Sequence, residues 1–351
     1  MNRDRTDSIV ILLLADTHLG FDAPQRPRIE RRRRGEEFFA HYHQALEAAG
    51  KRGADLVVHG GDLFYRSKIP DVLVSRAFEP LLALADSGIP VYLVPGNHER
   101  SKISPTLFGR HPRIHIFDRP KTFQLEIRGR LLALSGFPSC RSGIRDRFAA
   151  LVGQTLFEKY VTDVKLLCLH QCVEGAQVGA HNYTFRNGPE VIGGRSLPPD
   201  FDAVLAGHIH RYQILIRDLR GRPLPSPVFY PGAIERTSFA ERLEQKGFLL
   251  LEFSFPGSAE RPVLSPTFIP LPCRPMLDVP LPADKLNNPG AELMLEELLA
   301  SLDPDGIVRL NIRGVLTARG SELLKAEQLR RIAPPGMNLS INWGSIRVWG
   351  G

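Results

Sequence analysis

Five apolar runs of strand length each break off directly into a cluster of Asp, His or Asn. Ile9–Ala15 leads into Asp16-Thr17-His18, and Leu56–His59 leads into Gly60-Gly61-Asp62. Val91–Val94 leads into Pro95-Gly96-Asn97-His98-Glu99, Leu166–Leu169 into His170, and Ala203–Ala206 into Gly207-His208-Ile209-His210. Apolar runs this short belong to strands covered on both faces. Between the first three lie segments of helical period. Glu36–Ala49 carries Phe38, Phe39, Tyr42, Ala45, Leu46 and Ala49 along one stripe, and Val72–Ala85 forms a second such segment. The order strand, helix, strand, helix, strand predicts a parallel sheet with covering helices. Strand-rich segments follow at 114–117, 122–127, 131–134, 164–169, 203–205, 228–230 and 248–253. A layered α/β sandwich is the expected result.

Pro266, Pro270, Pro272 and Pro275 crowd one stretch, which cannot continue a helix or a central strand. A boundary is expected there, with a catalytic domain over 1–270 and a small second domain over 271–351. In the second, Met276–Val279, Ala291–Leu302, Ile307–Ile312, Glu322–Arg331 and Leu339–Val348 read as β-α-β-α-β. From Leu271 onward the chain carries nine basic and nine acidic residues, so the formal excess of +7 lies entirely in the first part. A basic catalytic part suits a polyanionic substrate. No apolar run reaches the roughly 18 residues of a bilayer span. Ile9–Ala15 follows Asp4 and Asp7 and has no signal-peptide cleavage site, so no membrane role and a cytoplasmic location are expected. Cys140, Cys168, Cys172 and Cys273 show neither disulfide-framework nor zinc spacing, and buried reduced thiols are expected beside His170.

The five clusters share a chemistry. In open α/β sheets ligands bind at the carboxyl ends of the strands, so five such ends would converge on one place. A mixed imidazole and carboxylate set suits manganese, iron or zinc better than calcium or magnesium. Two ions about 3.5–4 Å apart activate a water and clamp both the attacking and the leaving oxygen of a phosphate ester. Asp16 and His18 are expected to alternate along extended chain and so to face one way, as are His208 and His210. Gly61, Gly96 and Gly207 are expected to let the backbone turn sharply beside a crowded site.

The five ordered motifs resemble those of the calcineurin-like metallophosphoesterase superfamily, and more narrowly the SbcD-type DNA repair exonucleases. The likeness rests on Ala15-Asp-Thr-His-Leu-Gly20, His59-Gly-Gly-Asp-Leu-Phe64, Gly96-Asn-His-Glu99, Leu169-His-Gln171 and Gly207-His-Ile-His210. It extends to Tyr230-Pro-Gly232, to Glu235-Arg-Thr-Ser-Phe239, and to the Arg274-Pro275 that opens the tail. The resemblance implies an α/β/α (ββ) sandwich with a small C-terminal α+β capping domain that contacts DNA. It implies that Asp16, His18, Asp62 and His210 hold one metal and that Asp62, Asn97, His170 and His208 hold the second, Asp62 bridging. His98 would be the catalytic histidine, acting on the leaving oxygen. The implied activity is a manganese-dependent 3′-to-5′ exonuclease and single-strand endonuclease that dimerises and partners an SMC-like coiled-coil ATPase. Two departures stand out. The family often has a histidine after Gly-Asp-Leu-Phe, and here the residue is Tyr65, a poor proton carrier near neutral pH. The helical pair by which the family binds its ATPase is not seen before Gly351.

Other residues carry weaker signals. Arg31, Arg32, Arg33 and Arg34 lie between the first motif and the first helix, as either a solvated face or phosphate contacts. The loop 171–186 begins at His170 and offers Tyr183, Phe185 and Arg186 for stacking on a splayed base. His41 and His43 fall within the first helix, where packing or surface roles are expected. The leading function is thus a two-metal nuclease acting on DNA ends. A phosphatase acting on a smaller ester would use the same centre, and a non-catalytic docking scaffold is the third reading.

Overall fold

The computed structural model describes residues 8–23, 32–99, 111–257 and 262–348. Among these, two compact units separate. The larger draws on 8–21, 37–237 and 244–271, and the smaller on 22–36, 238–243 and 272–348.

The larger unit is built on two six-stranded sheets. The first runs in the spatial order Val263–Pro270, Gly247–Ser254, Ser8–Leu14, Leu56–His59, Val91–Leu93 and Ile114–Ile116. Its last four strands are parallel, as the alternation of strands and helices requires. Gly247–Ser254 joins antiparallel to Ser8–Leu14, so the sheet is mixed rather than purely parallel. The second sheet runs Gln213–Arg217, Pro223–Tyr230, Ala203–Gly207, Val164–His170, Arg130–Gly136 and Lys121–Ile127. Here too four parallel strands lie at the centre, with an antiparallel strand at each edge.

The inner faces of the sheets share one core. Ile9, Ile11, Leu13, Leu56 and Val58 of the first pack with Leu132, Leu134, Leu166, Leu205 and Phe229 of the second. Side chains alternate along a strand, so Val10, Leu12 and Leu14 face the other way. They too are buried. This explains the continuous apolar runs. The helix Gly35–Lys51 buries Phe38, Phe39, Tyr42 and Leu46, and the helix Asp71–Asp86 buries Ala77, Phe78 and Leu81. On the outer face of the second sheet, Ile144, Phe148 and Val152 of the helix Ile144–Gln154 pack with Leu167, Leu169 and Val204. The order is helices, sheet, sheet, helix, a metallophosphoesterase-type sandwich. Cys168 and Cys172 are free thiols inside these cores, and burial pushes both up, Cys172 to about 12.

Within the proline-rich stretch the larger unit ends at Leu271 and the smaller resumes at Pro272, and the first two prolines lie in a strand. Pro266 and Pro270 lie in Val263–Pro270, which pairs only with Gly247–Ser254 among the described residues. Such an edge position tolerates a missing N–H.

The smaller unit has three parallel strands, Met276–Pro282, Ile307–Leu316 and Asn338–Val348, in that order. Helices Ala291–Ala300 and Ala326–Ile332 lie in the crossovers and bury Leu295, Leu299 and Leu329 against Val308, Leu310 and Ile312. Arg274 ties the strand ends together. Its guanidinium donates to Asp305 O at 2.6 Å, Asn338 Oδ1 at 2.6 Å and Gly336 O at 2.7 Å.

Candidate metal centre

The first two motifs are laced together by their backbones. Asp16 N donates to Gly61 O at 2.9 Å, His18 N to Asp62 O at 3.0 Å and Leu19 N to Leu63 O at 2.8 Å. Asp16, His18, Asp62 and His208 all take left-handed conformations, with φ of 51°, 44°, 52° and 89°. The expected alternation along extended chain is therefore not how Asp16 and His18, or His208 and His210, are aimed. Each pair is turned into the site by a strained residue of the kind that clusters where function demands it.

The side chains converge. Ligand atoms of Asp16, His18 and His210 lie within 4.8 Å of one another, as do those of Asp16, Asp62 and His170. His18 Nε2 lies 2.9 Å from His210 Nε2. Asn97 Oδ1 is 3.1 Å from His170 Nε2 and 3.0 Å from His208 Nδ1. Asp62 Oδ2 is 3.4 Å from His170 Nε2. Asp16 and Asp62 are almost fully buried, whereas His208 is exposed.

This donor set fits divalent cations. His170 Nδ1 lies 2.8 Å from Gly60 O, a pure acceptor, so that nitrogen carries the ring's hydrogen. In a neutral ring Nε2 then presents a lone pair to Asn97 Oδ1 and Asp62 Oδ2, which are acceptors themselves. Something positive must lie among them. Without a metal the charge comes from a proton. Burial opposes that charge, but Asp62 and Asp16 outweigh it and raise His170 to about 9. Burial likewise works against the Asp62 carboxylate, and His170 outweighs it, holding the group well below the usual carboxylate range.

The glycines serve close approach more than sharp turning. A Cβ at Gly96 would sit 2.2 Å from Asp62 Oδ1, and one at Gly61 would sit 2.3 Å from His170 Nδ1. Of the two, only Gly61 also has a positive φ, of 105°.

His98 Nδ1 lies 2.5 Å from Tyr65 O, a carbonyl that can only accept, so Nε2 is the nitrogen turned toward the ligands. Nε2 is 3.7 Å from Asp62 Oδ2, and the ring lies 5.1 Å from that of His18. The half-buried Tyr65 ring is 6.0 Å from His18 and 5.9 Å from His98. Tyr183 and Arg186 are exposed, Tyr183 in the hairpin Gln177–Val178/Tyr183–Thr184 and Arg186 just after it. Arg211, next to His210, holds that hairpin by donating to Gly179 O at 2.6 Å and Asn182 Oδ1 at 2.8 Å. The arginine run lies in the smaller unit. There Arg32 pairs with Asp305 at 3.0 Å, Arg33 with Asp22 at 2.6 Å, and Arg34 is buried. Arg31 lies outside the described residues. His41 packs inside the larger unit, 3.2 Å from the buried Glu235 carboxylate.

Two supporting residues, Glu99 and Lys246, escaped the sequence reading. Glu99 is buried and accepts from Gly96 N at 2.6 Å, Phe64 N at 2.8 Å and Asp62 N at 3.2 Å. It pins two ligand loops together, and burial followed by the Asp62 charge raises its carboxyl to about 7. An acid directly after Asn97-His98 was the available signal. Lys246 is 1% exposed and donates to His210 O at 2.8 Å, with Glu244 at 3.0 Å as its counter-ion. Nothing local marks either residue. His59 lies behind the centre, 3.0 Å from Thr17 Oγ1, and burial pushes it down to about 3.

Residues 9–212 match the family model described as calcineurin-like phosphoesterase. The chain is 23% identical over 350 residues to a "DNA double-strand break repair protein Mre11" of Archaeoglobus fulgidus, covering 91% of this chain and 70% of that one. It is 26% identical over 311 residues to the protein of the same name from Methanosarcina acetivorans, covering 87% of this chain and 46% of the relative. It is 27% identical over 234 residues to a component of the nuclease SbcCD from Bacillus subtilis, covering 59% and 58%. The chain thus spans about half the length of the last two relatives.

Proposed function

The chain belongs to the calcineurin-like phosphoesterases, the family of phosphoric-ester hydrolases matched over 9–212, and from that premise we propose that it is a two-metal DNA repair nuclease. The observation that carries the reading is the convergence of His170 Nε2 and His208 Nδ1 on Asn97 Oδ1, beside Asp62 and the His18–His210 pair. The names of the relatives, repair proteins and a nuclease component, support DNA as the substrate.

Asp16, His18, Asp62 and His210 would hold one ion, and Asp62, Asn97, His170 and His208 the other, most simply manganese. When bound, the pair supplies an activated water and charge stabilisation for in-line attack on a phosphodiester. The chain's own groups do the rest. Glu99 and Lys246 hold ligand loops in place, so little reorganisation is needed when substrate arrives. Tyr65 O accepts from His98 Nδ1–H, which turns Nε2 toward the centre, and in the doubly protonated ring Nε2–H would hydrogen-bond to, and protonate, the departing O3′. Tyr65 stands where a second histidine is common, and its phenol donates a hydrogen bond rather than a mobile proton. The smaller unit would contact DNA as a cap.

The protein would act as a homodimer in the cytoplasm with an SMC-like coiled-coil ATPase. Among the described residues no helix is long and apolar enough to cross a membrane. The test is cleavage of end-labelled single- and double-stranded DNA with manganese, magnesium or chelator. Manganese-dependent shortening from the 3′ end is expected. Hydrolysis of a small phosphodiester with intact DNA left behind would move the substrate to a smaller ester.

A further inference from the structure

Beside the ligand cluster opens a cavity of about 680 Å³, walled by Arg66, Ser67, Lys68, Asn97, His98 and Arg141. Three of its six lining residues are cations, and two others belong to the centre itself. We propose that Arg66, Lys68 and Arg141 form a subsite for the phosphate next to the scissile one, on the side of the leaving oxygen. The inference rests on the nuclease reading. It names the feature by which the centre would tell a polynucleotide strand from an isolated phosphate ester.

Position is the first argument. The His98 ring lines the cavity while its Nε2 faces Asp62 at 3.7 Å. A group filling the cavity therefore sits beside the oxygen that His98 serves. In 3′-to-5′ cleavage that oxygen belongs to the body of the strand, which carries the next phosphate.

Charge is the second. The cations come from separate segments, 66–68 directly after Tyr65 and Arg141 just beyond the strand Arg130–Gly136. Arg141 donates to Asn97 O at 3.0 Å, which anchors the guanidinium at the centre's rim and leaves further N–H donors for a ligand. The Arg66 guanidinium carbon stands 5.5 Å from the centroid of the Tyr65 ring. Among the described residues no carboxylate pairs with any of the three, whereas Arg32 and Arg33 each have one. Cations gathered without counter-ions beside a phosphoesterase centre suit an arriving phosphate.

Size is the third. A cavity of several hundred Å³ suits a ligand the size of a nucleotide unit. Its open side toward solvent suits a strand that continues past it.

The test uses the manganese-loaded full chain and two substrates. One is a dinucleotide with a single internal phosphate, and the other a trinucleotide with one more phosphate on the leaving-group side. The wild type is expected to cut the 3′-terminal linkage of the trinucleotide with kcat/KM about tenfold above the dinucleotide, an advantage weakened by salt. In Arg66→Ala/Lys68→Ala the advantage should fall toward one, and the salt slope should drop by about one per cation removed. Arg141→Ala should lower the same ratio. Both sites of substitution are exposed, so the fold should survive, and manganese binding measured by calorimetry checks it. If the double variant cuts both substrates with the wild-type ratio and salt slope, the subsite assignment is wrong. If the wild type hydrolyses bis(p-nitrophenyl) phosphate but neither oligonucleotide, the nuclease reading fails and the subsite falls with it.

Discussion

The two units share a grammar of parallel strands joined through helices, yet they end their strands in opposite ways. In the larger unit, Ser8–Leu14, Leu56–His59 and Ala203–Gly207 lead into Asp16, His18, Asp62 and His208, all left-handed without being glycine. In the smaller unit no described non-glycine residue has a positive φ, and the bulge beside Ile312 is carried by Gly314. Polar groups follow the same divide. Around Asp62 and His170, acceptors face acceptors and await a cation. Around Arg274, each N–H named above meets a carbonyl or amide oxygen. Four of the seven described non-glycine residues with positive φ are thus gathered at the ligand cluster, the others being Arg128, Leu156 and Asn182 elsewhere in the larger unit.

The sharpest way to break this contrast is Asp62→Ala. It removes the carboxylate proposed to serve both ions, so manganese binding should be lost and turnover should fall by about a thousandfold or more. Retained metal stoichiometry by calorimetry would show that Asp62 does not bridge. His98→Ala is next. It should keep the metals and lose about 10²- to 10⁴-fold in kcat on a phosphodiester, the usual contribution of a general acid. Full turnover would remove His98 from the mechanism. Gly96→Ala drives a methyl toward Asp62 Oδ1. Metal affinity should weaken by about 10- to 100-fold, as for other losses of support around ligands. Unchanged affinity would mean that the close approach is incidental.

Much of this contrast was legible in advance, and the reasons are physical. The candidate ligands follow directly on apolar runs, so position along a strand announced the fold and the convergence of these side chains. The small unit's three strands and the helix Ala291–Ala300 were legible from their periods, whereas the short helices Ala283–Leu286 and Ala318–Leu323 were not, and the expected helix 322–331 is divided between Ala318–Leu323 and Ala326–Ile332. What was hidden depended on partners far along the chain. Ser8–Leu14 takes its antiparallel neighbour from Gly247–Ser254, which made a mixed sheet out of an expected parallel one. Pro266 and Pro270 suggested only a break, because their edge position is set by that same distant pairing. Left-handed φ at Asp and His leaves no mark in residue type, unlike at Gly. Glu99 was visible as a letter after Asn97-His98, but its three backbone hydrogen bonds were not.

The smaller unit supplies the gentler tests. Arg274→Ala would leave Asp305 O, Gly336 O and Asn338 Oδ1 without their shared donor, at a cost of about 1–3 kcal/mol in unfolding free energy. A denaturant midpoint equal to wild type would show that solvent replaces it freely. Asp278 gives the smallest effect. Arg309 grips its two carboxylate oxygens at 2.9 and 2.7 Å, and Asn311 adds a third donor. The Arg309 hydrogen bonds hold the Asp278 carboxyl below its ordinary value of 3.8, with burial opposing and Asn311 assisting. A depressed folded-state pKa means stability that is present above the unfolded value and lost as pH falls through the folded one. The pair is partly exposed, so screening limits it to about 1 kcal/mol or less. Arg309→Leu should therefore lower stability slightly at neutral pH and converge with wild type at strongly acidic pH. Equal gaps at both pH values would assign the loss to Arg309 packing over Phe239, 4.3 Å away, rather than to its charge.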